Sequence, residues 1–361
     1  MLDAYTMILI ALSAAFIGIL IAVVVFMGYL RKILSIASYM GPNATIFAIG
    51  SKYTRSEELG HLLEMTSVNE VLGEIKGEGY EIDDPNNDVD IERSMLKMMQ
   101  DVIAMLPEGS RQFAEVYMLK FDAQLVKRIL RAKQAGVPKN KIYESLYDGT
   151  HITKLIVNHM VEATSIEDAI TALDATPFRS VIDVWNESND LAKVDIALDK
   201  LVLNALMDAK STIDEDSREA IEKMVSVLID VYNLRVLVRG KAMGLDVSKE
   251  LVDGGYELDS WKLKSMADGR SIEEMLGNVD GTAYSFLRDL KDPFEIELAL
   301  DRFLMEKASE IGMVYSVSSG PTVMFLIAKE YEARNLKSVI RGFVEGLPKE
   351  RISKVLVGVA S

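Results

Sequence analysis

The chain has 361 residues, enough for two or three domains that each bury a core. Its 40 Lys and Arg against 55 Asp and Glu give a net charge of −15, so it lacks the basic surface that nucleic-acid phosphates require. The complete absence of cysteine excludes disulfides, thiolate metal sites and cysteine nucleophiles.

Hydrophobic residues make up 49% of the chain, and much of that excess sits at its start, where residues 4–30 carry no charged side chain. The segment from Met7 to Leu30 spans about 36 Å as a helix, enough for a hydrocarbon core of about 30 Å. A cleaved signal peptide would need positive charge before a short apolar run, yet only Asp3 precedes this one and Arg31 and Lys32 follow it. The segment therefore reads as a retained transmembrane helix, with a buried core helix as the other reading. The positive-inside rule puts the remainder, of net charge −14, on the cytoplasmic side of a cell membrane. Ala15 and Gly18 lie among small residues suited to lipid or helix packing, and no ionisable group is present for ion transport. A connector follows, with Gly41, Pro42 and Asn43 between Ser38 and Gly50. Fully extended, the stretch from Arg31 to Gly50 would reach about 66–72 Å.

Beyond it one pattern occurs three times: an acid, an arginine nine positions on, a small residue, and a glycine four further. The copies are Asp122, Arg131, Ala132, Gly136; Asp230, Arg239, Gly240, Gly244; and Glu332, Arg341, Gly342, Gly346. The arginines are 108 and 102 residues apart, the mark of an internal triplication. We divide the chain into an anchor with connector (1–45) and repeats at 46–150, 151–255 and 256–361. In each repeat the predicted first element is a helix opened by Ser67, Ser165 or Ser271 and closed by Tyr80, Phe178 or Tyr284. The second is an apolar helix opened by Asp90-Ile91, Asp195-Ile196 or Glu295-Ile296. The third carries the motif and ends at its glycine, a C-cap. No strand or hairpin signal appears, so the expected fold class is all-α.

Nine residues along a helix is about 900° of rotation and about 13.5 Å of rise, so motif acid and arginine face opposite ways. Each arginine is expected to reach a carboxylate on a neighbouring helix of its own repeat, with Asp90, Asp195 and Glu295 as candidates. The six motif residues are thus read as an inter-helix clamp. Were Arg239 buried in such a pair, its loss would cost about 3–5 kcal/mol.

Motifs for chemistry are missing. His61, His151 and His159 lack a third ligand for zinc, and no Gly-rich phosphate loop occurs, so no nucleotide, metal or cofactor site is expected. The acidic run from Asp83 to Asp90 lacks the glycine and the terminal Glu of a calcium loop.

The third motif and its continuation, from Lys329 to Val357, resemble the C-terminal signature of the C subunit of archaeal-type (A/V-type) ATP synthases, counterpart of the d subunit of vacuolar ATPases. Glu332, Asn335, Leu336, Arg341, Gly342 and Gly346 carry the resemblance. Asp230, Asn233, Leu234, Arg239, Gly240 and Gly244 repeat it, and the first copy departs at Leu125 and Ala132. The resemblance implies three helical bundles forming a funnel around a pseudo-threefold axis. It implies a non-catalytic central-stalk subunit seated on the proteolipid rotor ring, receiving the shaft and coupling ion transport, of hydrogen or sodium ions, to ATP synthesis. The N-terminal transmembrane helix is a departure from that family. A membrane-anchored helical scaffold for another cytoplasmic complex is the alternative.

Overall fold

In the computed structural model, which describes residues 4–209, 213 and 215–358, the regular elements are all helices. The first, α1 (Ala4–Ile49), is 46 residues long. The expected connector is therefore not a loop. Pro42 costs the helix the N–H that would reach Ser38, but Tyr39, Asn43 and Ile46 recur at steps of four and three on one face and are buried in the body. Their burial outweighs the lost hydrogen bond, so anchor and first body helix form one continuous helix. Gly50, at a φ of +58°, ends it by donating its N–H to the Ile46 carbonyl at 2.8 Å. Residues 7–34 are exposed on every face, and this is the one helix among the described residues long and apolar enough to cross a membrane.

Then a succession of helices recurs. The short helices α2 (Ser56–Glu64) and α3 (Val68–Lys76) precede the longer α4 (Val89–Ile103) and α5 (Glu108–Gln134), with α6 (Lys139–Glu144) after them. The next set is α7 (Lys154–Glu162), α8 (Ile166–Thr171), α9 (Ser180–Ser188), α10 (Leu191–Ala209) and α11 (Glu215–Met243). The last is α12 (Ser260–Asp268), α13 (Ile272–Leu276), α14 (Pro293–Val314), α15 (Gly320–Val344) and α16 (Lys349–Ser353). Ser67, Ser165 and Ser271 cap α3, α8 and α13, accepting the N–H of Glu70, Asp168 and Glu274. Those helices stop short of Tyr80, Phe178 and Tyr284, which lie buried in the turns that follow.

The motif helices α5, α11 and α15 end alike. Gly136, Gly244 and Gly346 have φ of 68°, 68° and 65°, which a Cβ would disfavour. The next residue donates back to the motif's small residue: Val137 to Ala132 at 3.0 Å, Leu245 to Gly240 and Leu347 to Gly342 at 2.8 Å. A Cβ on Gly240 would lie 2.6 Å from Val247, and one on Gly342 2.5 Å from Ile352, so the small residue leaves room for the returning chain.

The three motif helices pack on one another pairwise, and their opening residues meet at α1. Tyr39 Oη lies 2.8 Å from Ser110 Oγ in the first turn of α5 and also hydrogen-bonds Ser217 Oγ in the first turn of α11. Asn43 Nδ2 donates to the Ser316 and Ser318 carbonyls, at 3.0 and 3.1 Å, just ahead of α15. Ser319 Oγ, at the α15 N-cap, reaches the Ser217 carbonyl at 3.0 Å. One side chain of α1 thus ties together the starts of two motif helices, and a second, one turn on, holds the approach to the third. Tyr39→Phe should cost about 1 kcal/mol through the lost hydroxyl. Tyr39→Ala should cost about 3–5 kcal/mol through the vacated core. Deletion of residues 1–34 should leave the unfolding midpoint of the body unchanged; chemical denaturation of the three variants tests this.

Candidate functional site

The motif acids are buried. Asp122 accepts the backbone N–H of Thr150 and of His151, both at 2.8 Å, and lies 3.1 Å from His151 Nδ1. Asp230 accepts the N–H of Glu257 at 2.8 Å and of Leu258 at 3.3 Å. Glu332 accepts the N–H of Tyr53 at 3.0 Å, the Tyr80 hydroxyl at 2.8 Å and Lys329 Nζ at 2.5 Å. Asp122 and Asp230 hold the chain that leads into the following short pair, α7–α8 and α12–α13. Glu332 holds the segment leading into the first pair, α2–α3. Backbone approaches closely enough that a Cβ on Gly255 would fall 1.8 Å from Asp230 Oδ1. Asn233 and Asn335 add a second clasp, each exchanging a pair of hydrogen bonds with the returning backbone at Val252 and Val357. Leu125, at the matching place in α5, is buried and apolar.

The motif arginines lie elsewhere than expected. Arg131 pairs with Asp195 of α10, Nε to Oδ2 2.9 Å, and Arg239 with Glu297 of α14 at 2.7 Å. Arg341 bonds Glu345 of its own helix at 2.9 Å and stands 3.7 Å from Asp88. The partners are thus Asp195, Glu297 and Asp88; Asp90 pairs with Arg93 instead, and Glu295 opens the first turn of α14. The acid–Ile dipeptide set the register two residues out in two repeats. Nor does the partner lie in the set of helices that carries the arginine: Arg131 of α5 reaches α10, Arg239 of α11 reaches α14, and Arg341 of α15 faces the N-cap of α4. The arginine side chains are 63%, 63% and 66% exposed, so these are surface pairs and not buried clamps.

A second rung, missed from sequence, lies one turn deeper. Lys127, Arg235 and Lys337 stand four residues before the motif arginines and meet acids four residues beyond the first set. Lys127 bonds Asp199 at 2.5 Å, Arg235 bonds Asp301, and Lys337 bonds Glu92 at 2.9 Å. Asp301 and Glu92 are buried; Asp301 also takes Arg334 and the Tyr331 hydroxyl, and Glu92 also takes Arg128. The signal was legible: a base four before every motif arginine. The Arg235–Asp301 and Lys337–Glu92 rungs border a cavity of about 340 Å³ lined by Glu92, Gln124, Arg235, Asp301, Glu330 and Arg334. Glu330 of α15 is bound there by Lys120 Nζ and the Tyr117 hydroxyl of α5, both at 2.7 Å.

Every acid in this cavity is matched by a cation or hydroxyl. No group of three or more metal-ligating side chains occurs among the described residues. The acidic loop at 83–90 bonds within itself, Asp84 to the Asn86 N–H at 2.9 Å and Asp90 to the Asp83 N–H at 3.2 Å. The arrangement can hold helices in fixed register, and it offers no nucleophile with a base.

A helical body knit by repeated ion pairs, with one long apolar helix rooted in it, is the architecture of a structural protein. The chain belongs to the ATP synthase (C/AC39) subunit family, which it matches over residues 42–355. It is similar to the C subunit of the A-type ATP synthase of Methanocaldococcus jannaschii, 28% identical over 91% of this chain and 88% of that one. The corresponding A-type proteins of Methanothermobacter thermautotrophicus and Thermococcus kodakarensis are each 25% identical. They cover 93% and 89% of this chain, and it covers 93% and 91% of theirs.

The two rungs should differ in energy. Arg239→Ala should cost about 0–1 kcal/mol, as for other exposed pairs. Asp301→Ala, which strands Arg235 beside a low-dielectric core, should cost about 3–5 kcal/mol. Denaturant unfolding of the two variants decides between them.

Acid should weaken the body. Burial pushes Glu92 up, but the hydrogen bond from Arg128 and the charge of Lys337 outweigh it and hold its carboxyl below the ordinary 4.5. Burial likewise opposes, and the cations overcome it, at Glu297 beside Arg239 and Glu330 beside Lys120. A carboxylate lowered on folding contributes stability that is full above its unfolded value and lost as pH falls through the folded one. Asp230, raised by burial above 3.8, acts in the opposite direction. With three groups against one, stability should fall as pH drops below 4.5, and Glu92→Gln should flatten that fall. Urea unfolding at a series of pH values measures both.

Proposed function

We propose that this chain is the non-catalytic central-stalk subunit of an A-type/V-type ATP synthase. Its three repeats would form a funnel that couples the membrane rotor ring to the central shaft during ion-gradient-driven synthesis. The single observation that carries this beyond family membership is the placement of α1. Rooted where the motif helices begin, it gives the body a membrane pole. About 21 residues along those helices, some 31 Å at 1.5 Å per residue, the exposed arginines give it an opposite pole for the shaft. Arg31 and Lys32, just past the apolar stretch, favour a body on the cytoplasmic side. A body of charge −14 is repelled by anionic lipid, so it is held by its anchor and by protein contacts.

The test is purification of the detergent-extracted complex through a tag on this chain. Proteolipid ring, shaft and nucleotide-binding subunits should co-purify, and the isolated chain should hydrolyse no ATP. Recovery with an unrelated cytoplasmic complex would replace this reading with the scaffold one, and ATPase activity inseparable from the pure chain would overturn both.

A further inference from the structure

The surface of α1 between Met7 and Leu34 is not covered by the rest of the chain, and its large side chains are exposed on all sides, from Met7 at 61% to Leu34 at 61%. Such a surface would meet either the lipid around a complex or a wall of other helices. Where α1 leaves the body decides between them. It leaves the body at Tyr39 and Asn43, whose buried face meets the first turns of α5 and α11 and the turn ahead of α15, and so at the point where the three motif helices begin together. There is no slack. The helix is unbroken from Ala4 to Ile49, so Arg31 stands eight residues, about 12 Å, from Tyr39. A flexible connector could have led the anchor sideways past the edge of a ring; a helical one of this length cannot. Around the exit lie further exposed apolar side chains, Met40 and Phe47 of α1 with Met313 and Val314 at the end of α14 and Val317 in the turn after it. They continue the apolar surface of α1 onto the same pole of the body.

Building on the rotor reading above, we propose that the apolar part of α1 occupies the central hole of the proteolipid ring and packs on the ring's inner wall. Tyr39 and Asn43 key it to the body, so it turns with body and ring as one piece. The surface it needs is apolar and uncharged along about 36 Å, which the segment from Met7 to Leu30 supplies. A helix outside the ring would meet the static membrane subunit once in every turn, and a link of about 12 Å could not carry it around.

The absence of cysteine makes the test direct. Ala15→Cys and Val24→Cys, both at exposed positions of α1, are introduced singly into the whole complex in membranes. A bis-maleimide is then added to complexes whose ring proteolipid bears one cysteine on its lumen-facing helix or, separately, on its outward-facing helix. Both positions should cross-link to the lumen-facing cysteine, and the product should be lost with the outward-facing one. Cross-linking to the outward-facing cysteine or to the static membrane subunit overturns the proposal. So does failure to cross-link to the lumen-facing cysteine from both positions, which would leave the helix in lipid alone. A chain that does not co-purify with the ring at all would instead defeat the rotor reading. Co-purification with the wrong cross-links defeats only the placement of α1.

Discussion

Three buried carboxylates set the rest of the architecture. An ionised acid taken out of water costs several kcal/mol unless hydrogen bonds replace its hydration, and backbone N–H groups are the donors that need no further side chain. Asp122 through both oxygens, and Asp230 through Oδ2, accept backbone N–H groups some 28 residues further along the chain. That requirement fixes where the chain must return after each motif helix. Glu332 has its donors elsewhere. It takes them from Tyr53 and Tyr80 at the other end, so the last motif helix organises the first short pair. The two ends of the body are thereby fastened to each other.

The ion pairs follow the same direction of travel. α5 grips α10, α11 grips α14, and α15 grips α4, each with two cations one turn apart facing two acids one turn apart. Spacing of four on both helices makes the rungs additive in geometry, since a slip of one residue would break both. The contributions are unequal. The outer rung is wet and screened, whereas Asp301 and Glu92 in the inner rung are buried and bound by more than one cation. We take the inner rung to set register and stability, and the outer to remain accessible to a partner.

Much of this was legible, and the failures have particular causes. The motif glycines were legible because a left-handed C-cap after an amphipathic helix leaves few alternatives to Gly. The all-α class followed from patterning that gave no period-two run. The arginines were found because they recur, but recurrence says nothing about burial, and their long side chains reach the surface. Their partners were misregistered because Asp90-Ile91 and Glu295-Ile296 are ordinary dipeptides. The acid pairs Asp88 with Glu92 and Glu297 with Asp301 hold the true register. Tyr39 and Asn43 left no trace, since a tyrosine beside Gly41 and Pro42 looks like a loop until the body that buries it is known.

The burial of Tyr39 and Asn43 governs how force would pass through the molecule. A linker transmits tension but no torque, whereas a helix keyed at two points one turn apart resists rotation about its own axis. Tyr39 and Asn43 are such points, and they bind different motif helices. Turning α1 against the body would strain contacts to all three helices together. Turning the body against itself would have to shear the inner rungs, where a displaced Asp301 or Glu92 loses two cations at once. Stiffness therefore arises from bringing charged groups into surroundings where leaving a partner is costly, and it requires no chemistry beyond that.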